Sequence, residues 1–190
     1  MKYYTVRYSG GFGFIKPWTA VRDSKTFSQQ FLTPSVVEGI EKKLFPELLP
    51  HKGIRKIVRY KLCYAGISVQ QEVTQPRGWE YKKTQKLMVR NRSILERGVL
   101  VDPVLVLAFA QQEDAQRAHV QHICLCRNED ILLPDSEIHE MDQNQFDEMN
   151  GFELHFGEDE QSFMVGFNRY NELKPMYGTI KISGKPVSGN

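Results

Sequence analysis

The chain contains few cysteines and no long apolar segment, and both absences exclude broad classes of protein. Only 3 of its 190 residues are cysteines, an odd number in a chain without an evident export signal. Reduced thiols therefore fit this sequence better than a disulfide framework. No stretch approaches the roughly 20 apolar residues that a membrane-spanning helix needs. The three cysteines are Cys63, Cys124 and Cys126.

The N-terminal residues also lack the apolar core of a signal peptide, so we expect a cytoplasmic protein with no membrane partner. The longest apolar run, residues 99–110, is interrupted by Asp102 and Pro103 and is typical of a buried strand. The sequence shows no internal repeat and no low-complexity tract. With 41% hydrophobic residues, a chain of this length buries one good core. We therefore predict a single domain over residues 1–190.

The small net charge of +2 conceals a strong charge asymmetry along the chain. Residues 1–100 contain 19 Lys and Arg against 7 Asp and Glu, whereas residues 101–190 contain 6 against 16, giving net charges of about +12 and −10. A compact protein with two such surfaces generally uses one of them to meet a polyanion. Aromatic residues also alternate with Lys and Arg in the basic part, which is typical of single-stranded nucleic-acid binding. The alternative is a solvated charged face over an aromatic core.

The order of the predicted elements indicates an α+β fold. Residues 3–9 alternate as a strand does, and glycines at positions 10, 11 and 13 follow as a turn. Thr33 and Pro34 are typical of a helix start, and Pro46 ends that helix. The order strand, helix, two strands, helix, strand is that of a ferredoxin-like or RRM-type antiparallel sheet with two helices. The other predicted elements are an irregular connection at 14–32, strands at 54–61 and 63–69 with a bulge at Gly66, a strand pair within 94–110 broken near Gly98, a helix at 111–121, and strands at 152–156, 163–167 and 179–183.

Between residues 70 and 92 the chain becomes basic and loses its aliphatic side chains. These 23 residues contain six Lys and Arg, and little before Leu87 could pack into a core. A segment of this composition does not bury itself, so we predict a protruding basic hairpin or a flexible loop. Residues 70–92 are called the arm below.

The predicted RNA-binding residues combine aromatic faces for base stacking with cations for phosphates. Bases splayed from a single strand stack on rings, while fixed cations neutralise the backbone. The cluster carries this prediction, because a single surface lysine usually only adds solubility and Trp18 or Tyr81 alone could equally belong to the core. The predicted contact residues are Lys16, Trp18, Arg22, Lys25, Arg77, Trp79, Tyr81, Lys82, Lys83, Lys86, Arg90, Arg92 and Arg97.

Two blocks of this sequence resemble those of a known family. The first is Phe-Leu-Thr-Pro-Ser-Val-Val-Glu-Gly-Ile at residues 31–40, which follows a strand, a glycine turn and a basic linker. The second is Arg-Asn-Arg-Ser-Ile-Leu-Glu-Arg-Gly-Val at residues 90–99. Their order and spacing, with the arm between them, are similar to the Cas-five family of CRISPR-associated proteins. The resemblance covers about residues 3–110.

This resemblance implies a subunit of a Cascade-like CRISPR surveillance complex within the RAMP superfamily. Such subunits hold the 5′ handle of the crRNA and cap the backbone filament. The arm would be the thumb that packs on a neighbouring Cas-seven-type backbone subunit. The implied partners are the crRNA and that backbone subunit, with a large subunit and target DNA as further candidates. The acidic half of the chain would then face protein partners.

The alternative function is a metal-independent endoribonuclease that processes the precursor crRNA, as members of subtype I-C do. The resemblance implies a Tyr near the end of the first helix and a Lys-His pair later in the chain. The matching position here is Phe45, which has no hydroxyl for proton transfer, and the pair is missing. We therefore expect no catalytic site. The remaining candidate proton-transfer groups are His51, His119, His122, His139 and His155.

We also predict no cofactor and no metal site. A cluster with H-x2-H-x-C-x-C spacing has ligand types that suit zinc, but its spacing differs from that of familiar zinc sites. We expect its two cysteines to be small buried core residues. The glycines at positions 10, 11 and 13 lack the Lys and Ser/Thr of a phosphate loop, and residues 158–160 are typical of a solvated acidic turn. The cluster residues are His119, His122, Cys124 and Cys126.

Overall fold

A computed structural model describes residues 1–17, 24–74, 78–90 and 92–188 of the chain. Up to residue 101 the elements are β1 (Lys2–Ser9), β2 (Phe12–Gly13), β3 (Lys25–Phe27), α1 (Pro34–Leu44), a 3-10 helix (Pro46–Leu48), β4 (Ile57–Cys63), β5 (Gly66–Thr74), β6 (Glu80–Lys82), β7 (Leu87–Val89) and β8 (Ser93–Val101). The elements that follow are β9 (Val104–Phe109), α2 (Gln112–His119), β10 (Ile123–Cys124), β11 (Ile131–Asp142), α3 (Gln143–Glu148), β12 (Gly151–Phe156), β13 (Phe163–Asn168) and β14 (Lys174–Ser183). Of the helices in these ranges, none has the length and hydropathy needed to cross a membrane.

Eight strands form one antiparallel sheet in the order β10-β11-β1-β9-β4-β12-β14-β13. Within it, β11, β1, β9 and β4 lie side by side, and each pairs antiparallel with its neighbour. Helix α1 connects β1 to β4 along the chain, and α2 follows β9. Strands β12, β14 and β13 extend the sheet beyond β4. The predicted α+β class is therefore confirmed.

Helix α1 begins and ends where the sequence predicts. Thr33 is the N-cap and Pro34 is the first helical residue, where a missing N–H leaves no helical hydrogen bond unmade. The Thr33 side chain does not cap the helix, because its hydroxyl bonds to the Ser35 hydroxyl at 3.1 Å. The helix ends at Leu44, shortly before Pro46. Its buried apolar residues are Val37, Ile40 and Leu44.

A buried carboxylate fixes the loop between α1 and β4. The Glu41 side chain is fully buried. It accepts hydrogen bonds from the backbone N–H groups of Arg55, Lys56 and Ile57 at 2.6–3.0 Å. Such bonds supply the partners without which a buried charge is very unfavourable. Because they hold these residues against α1, β4 begins at Ile57 and not at residue 54 as the sequence pattern suggests.

The sequence predicts two helices, but the structure contains a third, α3. The Asp142 carboxylate accepts a hydrogen bond from the Gln145 N–H at 2.9 Å. The Gln145 side chain in turn accepts one from the Asp142 N–H at 2.8 Å, which completes a capping box. The helix has only 6 residues, and of these only Phe146 is buried. A segment this short has no recognisable helical period, so the prediction of two helices is wrong.

Three further sequence-based predictions are wrong in the segments around the arm. The break between β8 and β9 lies at Asp102, which has a φ of 46°, and not at Gly98. Gly98 lies inside β8, where a Cβ atom would collide with the ring of Phe27. Gly66 begins β5 in regular register and forms no bulge. The connection predicted to be irregular, residues 14–32, contains β3.

The main sheet is packed on both faces. On one face, α1 and α2 cover a core in which the Tyr8 hydroxyl donates to the Ala118 carbonyl at 2.7 Å. On the opposite face, Phe146 of α3 packs in a second cluster with Tyr3 and Val106. The rings of Tyr3 and Phe146 meet edge to face, with their centres 5.8 Å apart. Helix α3 therefore closes part of a face that a one-sided sheet leaves to solvent.

Cations of the basic half meet carboxylates of the acidic half beside this second cluster. Arg59 on β4 donates to both carboxylate oxygens of Glu153 at 2.8 and 2.6 Å and to Asp147 at 2.7 Å. The fully buried Lys61 donates to the backbone carbonyls of Asp147 and Met149 at 2.9 and 2.7 Å. These carbonyls lie at the end of α3, where a cation is favourable. Burial lowers the pKa of Lys61.

We predict that Arg59→Ala lowers the free energy of unfolding by about 3 kcal/mol, because it leaves the buried Glu153 carboxylate without its partner. Side-chain exposures of 13% for Arg59 and 5% for Glu153 place this pair among buried ion pairs. The matched control is Lys2→Ala, which removes an exposed pair with Glu140 and should change stability by less than about 0.5 kcal/mol. Equal losses for the two variants in urea denaturation would contradict this account.

The ion pair between Arg59 and Asp147 predicts a pH dependence of stability. The hydrogen bond from Arg59 holds the pKa of Asp147 below its usual value of 3.8. A carboxylate with a lowered pKa stabilises the fold above its unfolded pKa, and this contribution disappears as pH falls through the folded pKa. The difference between wild type and Arg59→Ala should therefore be complete at neutral pH and shrink below about pH 4. Urea denaturation at pH 7 and pH 3 measures it.

Candidate nucleic-acid interface

The arm is part of a β-ribbon built outside the eight-stranded sheet. Strand β5 pairs antiparallel with β8 without a register break, from Gly66 opposite Val101 to Thr74 opposite Ser93. Two short strands flank β8 at its base, β2 antiparallel and β3 parallel. Of the two alternatives that the sequence leaves open, a hairpin or a flexible loop, the described residues form the hairpin.

A second, smaller hairpin forms the tip of the arm. Strands β6 and β7 pair antiparallel, with Tyr81 opposite Met88 and Lys82 opposite Leu87. Since side chains alternate along a strand, Tyr81 and Met88 share one face and Lys82 and Leu87 share the other. The turn between the two strands contains Lys86, whose φ of 51° is left-handed. The tip therefore has an aromatic face and a basic rim.

The aromatic residues at the tip are exposed. Trp79 and Tyr81 expose 60% and 55% of their surface. The Arg90 guanidinium lies 5.4 Å from the centre of the Trp79 ring. Exposed rings beside a guanidinium are the arrangement on which bases of single-stranded nucleic acid stack. Tyr81 therefore does not belong to the core, and its stacking on a base remains a prediction.

The lysines around these rings have no carboxylate partner within the part of the chain that the structure describes. Lys82, Lys83 and Lys86 are exposed, and none of them takes part in an ion pair there. The same holds for Arg92, which precedes β8. A cation without an internal partner can bind phosphate without first losing an ion pair.

At the base of the ribbon, cations already have acidic neighbours. The Lys25 ammonium lies 3.4 Å from Glu96, and the Arg97 guanidinium lies 3.4 Å from Glu72. Pairs this long with partly exposed side chains contribute little to stability. A phosphate can therefore replace either carboxylate. Lys16 is exposed nearby, where its backbone N–H is 3.4 Å from the sulfur of Cys126.

The structure adds one cation that sequence analysis missed, Arg127. The guanidinium groups of Arg97 and Arg127 lie 5.9 and 5.5 Å from the ring centre of the buried Phe14. Arg127 also donates two hydrogen bonds to Asp130, at 2.7 and 2.6 Å, which fix its orientation. Because Arg127 belongs to the acidic half of the chain, counting charges by halves conceals it. Its contact with Phe14 places it at the base of the ribbon.

The predicted contact residues thus divide into two described groups and one undescribed group. Those at the tip and its approach to β8 are Trp79, Tyr81, Lys82, Lys83, Lys86, Arg90 and Arg92. Those at the base are Lys16, Lys25 and Arg97. Those that lie outside the described residues are Trp18, Arg22 and Arg77.

One face of the ribbon carries a stripe of exposed apolar side chains. The register of β5 and β8 places Ile67, Val69, Val73 and Ile94 on this face, and Phe27 of β3 joins them. All five are exposed. Gln71 and Glu96 interrupt this row between Val69 and Val73. Single exposed apolar residues are ordinary, but several on one face of a ribbon are typical of a surface that contacts another protein.

The position at which the sequence resemblance implies a Tyr lies in the core. Phe45 is fully buried, and its ring meets that of Phe109 edge to face with the centres 6.0 Å apart. A side chain in this position cannot touch RNA. Two histidines have defined neighbours, since a ring nitrogen of His119 lies 2.6 Å from the Asp135 carbonyl and one of His155 lies 3.1 Å from Glu153.

The residues of the His/Cys cluster do not converge on a common point. Among the described residues, no group of three or more His, Cys, Asp or Glu side chains could hold a metal ion. The expectation that both cysteines are buried is wrong, because Cys126 is exposed and Cys124 is only partly buried. Their neighbours Ile123 and Leu125 are buried instead, and this alternation turns the thiols outward.

A comparison with solved structures finds a similar fold in a chain described as a CRISPR RNA-guided surveillance complex. The superposition has a TM-score of 0.52 and covers 98% of this chain and 93% of that chain, with 9% sequence identity. Neither a protein-family model nor a curated protein matches the sequence. At this level of identity the likeness concerns the fold, which extends over nearly the whole length of both chains.

Proposed function

We propose that the protein is a crRNA-binding subunit of a Cascade-like CRISPR surveillance complex, in which it holds the 5′ handle of the crRNA and caps the backbone filament. The observation that carries this proposal is the tip of the arm, where exposed rings stand beside cations without acidic partners in the described residues. Rings for bases and cations for phosphates are what a protein needs to hold the end of a single strand. The fold shared with a chain of a surveillance complex supports the same assignment.

The proposal extends to the fold class and domain boundaries. We class the protein as one ferredoxin-like, RRM-type domain of the RAMP superfamily over residues 1–190, with residues 70–92 as its thumb. The order of β1, α1, β4, β9, α2 and β11, and the sheet order β11-β1-β9-β4, support this class. Since α3 covers part of the sheet face opposite α1 and α2, the arm carries the RNA contacts here.

The proposed partners follow from the two kinds of surface on the ribbon. Its basic tip binds the crRNA, while the stripe of exposed apolar side chains packs on a Cas-seven-type backbone subunit. A large subunit and target DNA are further proposed partners of the assembled particle, which works in the cytoplasm. Defence against invading nucleic acid is the biological role that such a complex serves.

The second candidate function is an endoribonuclease that processes precursor crRNA. The surroundings of Phe45 argue against this function. The buried Phe45 supplies no hydroxyl and has no access to RNA. His51 is exposed close to the end of α1 and is the histidine nearest in sequence to that position. RNA held by the arm is therefore bound without being cut.

We predict that reversing three charges at the tip, with Lys82→Glu, Lys83→Glu and Lys86→Glu together, lowers RNA affinity at least tenfold at low salt. Each lost phosphate contact should reduce the slope of log K against log salt by about 0.7 for a single strand, so the slope falls by about 2. Filter binding of a labelled single-stranded RNA of about 20 nucleotides measures both quantities.

The matched control reverses three exposed lysines elsewhere, with Lys43→Glu, Lys174→Glu and Lys185→Glu together. This variant has the same net charge as the tip variant. It should keep most of the affinity and most of the salt slope, because the effect depends on position more than on total charge. A tip variant whose salt slope matches that of wild type would remove the arm from the RNA interface.

We predict that the purified protein leaves a labelled repeat RNA intact, with or without EDTA, because no proton-transfer group stands at the position of Phe45. Gel analysis of the RNA after prolonged incubation measures cleavage. Site-specific products that survive EDTA and disappear in His51→Ala would overturn the non-catalytic assignment.

A further inference from the structure

Strands β4 and β12 are neighbours in the main sheet but diverge from each other. In the described residues their pairing consists of Leu62 opposite Phe152. Toward the start of β4 and the end of β12, a cavity of about 280 Å³ lies between them, with Val58, Tyr60 and Leu154 in its lining. The sheet is thus split here by a wedge between two strands, which we call the wedge.

The wedge opens into a larger apolar groove. This groove has a volume of about 660 Å³ and shares Ile54, Ile57, Val58 and Phe156 with the wedge. Its far side comes from the β13–β14 hairpin, with Phe167, Met176 and Tyr177 in the lining. Val58 and Phe156 keep 41% and 51% of their surface exposed, so these apolar side chains are open to a ligand.

The shape of this site suits an extended polypeptide. Side chains bridge the facing edges of β4 and β12, because Arg59 donates to Glu153 at 2.8 and 2.6 Å and the Tyr60 hydroxyl donates to the Leu154 carbonyl at 3.4 Å. A peptide therefore lies along the groove and not between the two strands. Side chains of an extended peptide alternate, so every second one points to the same side. Here that side is the apolar groove between α1 and the β13–β14 hairpin.

The charges around the site favour a basic ligand and oppose nucleic acid. Of the carboxylates in the lining, Glu38 and Glu153 are already paired with cations, whereas Glu158 takes part in no ion pair within the described residues. The two arginines in the lining are already paired, Arg59 with Glu153 at 2.6 Å and Arg169 with Glu38 at 3.5 Å. Two more acids, at positions 159 and 160, continue the exposed loop at the mouth. Phosphate beside such a rim is repelled, whereas Lys or Arg is attracted.

We propose that the wedge and its groove bind an extended segment of a protein partner, with apolar side chains in the groove and Lys or Arg beside the acidic mouth. This site lies on the acidic side of the molecule, separate from the arm, and its function does not depend on whether the arm binds RNA.

The proposal can be tested with a synthetic probe. We would label the extended peptide Lys-Val-Phe-Val-Lys-Val with fluorescein and measure its binding to the full-length protein by fluorescence anisotropy. The comparison peptide is Glu-Val-Phe-Val-Glu-Val, which has the same apolar residues and the opposite charge. We expect the Lys peptide to bind at least tenfold more tightly than the Glu peptide, a preference that should shrink at high salt.

Two sets of variants locate the binding. Val58→Glu introduces a charge into the apolar lining and should weaken the Lys peptide at least tenfold, whereas Val120→Glu at an exposed position after α2 should leave it unchanged. Glu158→Lys with Glu160→Lys should reverse the preference between the two peptides. Circular dichroism verifies that each variant is folded, and unchanged RNA affinity of Val58→Glu separates this site from the arm.

Three outcomes would overturn the proposal. The first is that the Lys peptide shows no binding at millimolar concentration, or binds Val58→Glu as well as wild type. The second is that single-stranded RNA competes with the peptide, which would assign the wedge to nucleic acid. The third is self-association of the wild type that Val58→Glu abolishes, which would assign the groove to a second copy of the chain.

Discussion

The ion pairs between the two halves of the chain are the interaction on which the rest of the structure depends. Acidic residues from the second half neutralise cations on β1 and β4, so that the main sheet can be packed on both faces. Arg59, held by Asp147 and Glu153, is the most buried of these pairs. Lys2, Arg7 and Lys56 form further pairs with Glu140, Asp135 and Asp114. Part of the opposite charge of the two halves of the sequence is thus neutralised by ion pairs within the fold. Five of the cations that form no ion pair within the described residues lie together at the tip of the arm and its approach to β8, and this grouping is why that tip can attract a polyanion.

The ion pairs and hydrogen bonds at the end of α3 also determine which face of the main sheet is exposed. Arg59 and Lys61 bind the end of α3, and α3 carries Phe146 onto the sheet face opposite α1 and α2. Because part of that face is covered, the proposed RNA contacts lie on elements added to the sheet. These elements are the strands β5 to β8 between β4 and β9, which form the ribbon and carry its exposed rings and cations. Beyond β4, the strands added after α3 pair with β4 at only one position. The groove between α1 and the β13–β14 hairpin therefore forms where β12 diverges from β4.

The sequence predicts best where one physical signal dominates. Thr33, Pro34 and Pro46 specify the limits of α1, and the composition of residues 70–92 indicates a segment that stays outside the core. Prediction from the sequence is wrong or incomplete where an element forms through contacts with residues far away in the chain. Strand β11 is long, acidic and interrupted by Pro134, so its alternation is lost, and only pairing with β1 makes it a strand. Helix α3 is short, and its contacts with Arg59 and Lys61 come from residues more than 80 positions earlier in the chain. Arg127 joins the base of the ribbon through Phe14, a contact between residues more than a hundred positions apart. The wedge arises from strand divergence, which no local pattern encodes.

The central claim is that RNA lies on the ribbon and not on the acidic half. Photocrosslinking of the full-length protein with a 4-thiouridine-containing single-stranded RNA, followed by peptide mass spectrometry, tests this claim most directly. Crosslinks should concentrate in residues 78–90 and 92–97, where rings and unpaired cations meet, and should be scarce in residues 131–162. Strong labelling within residues 131–162, with little on the arm, would contradict the account and make the basic ribbon a protein-binding surface.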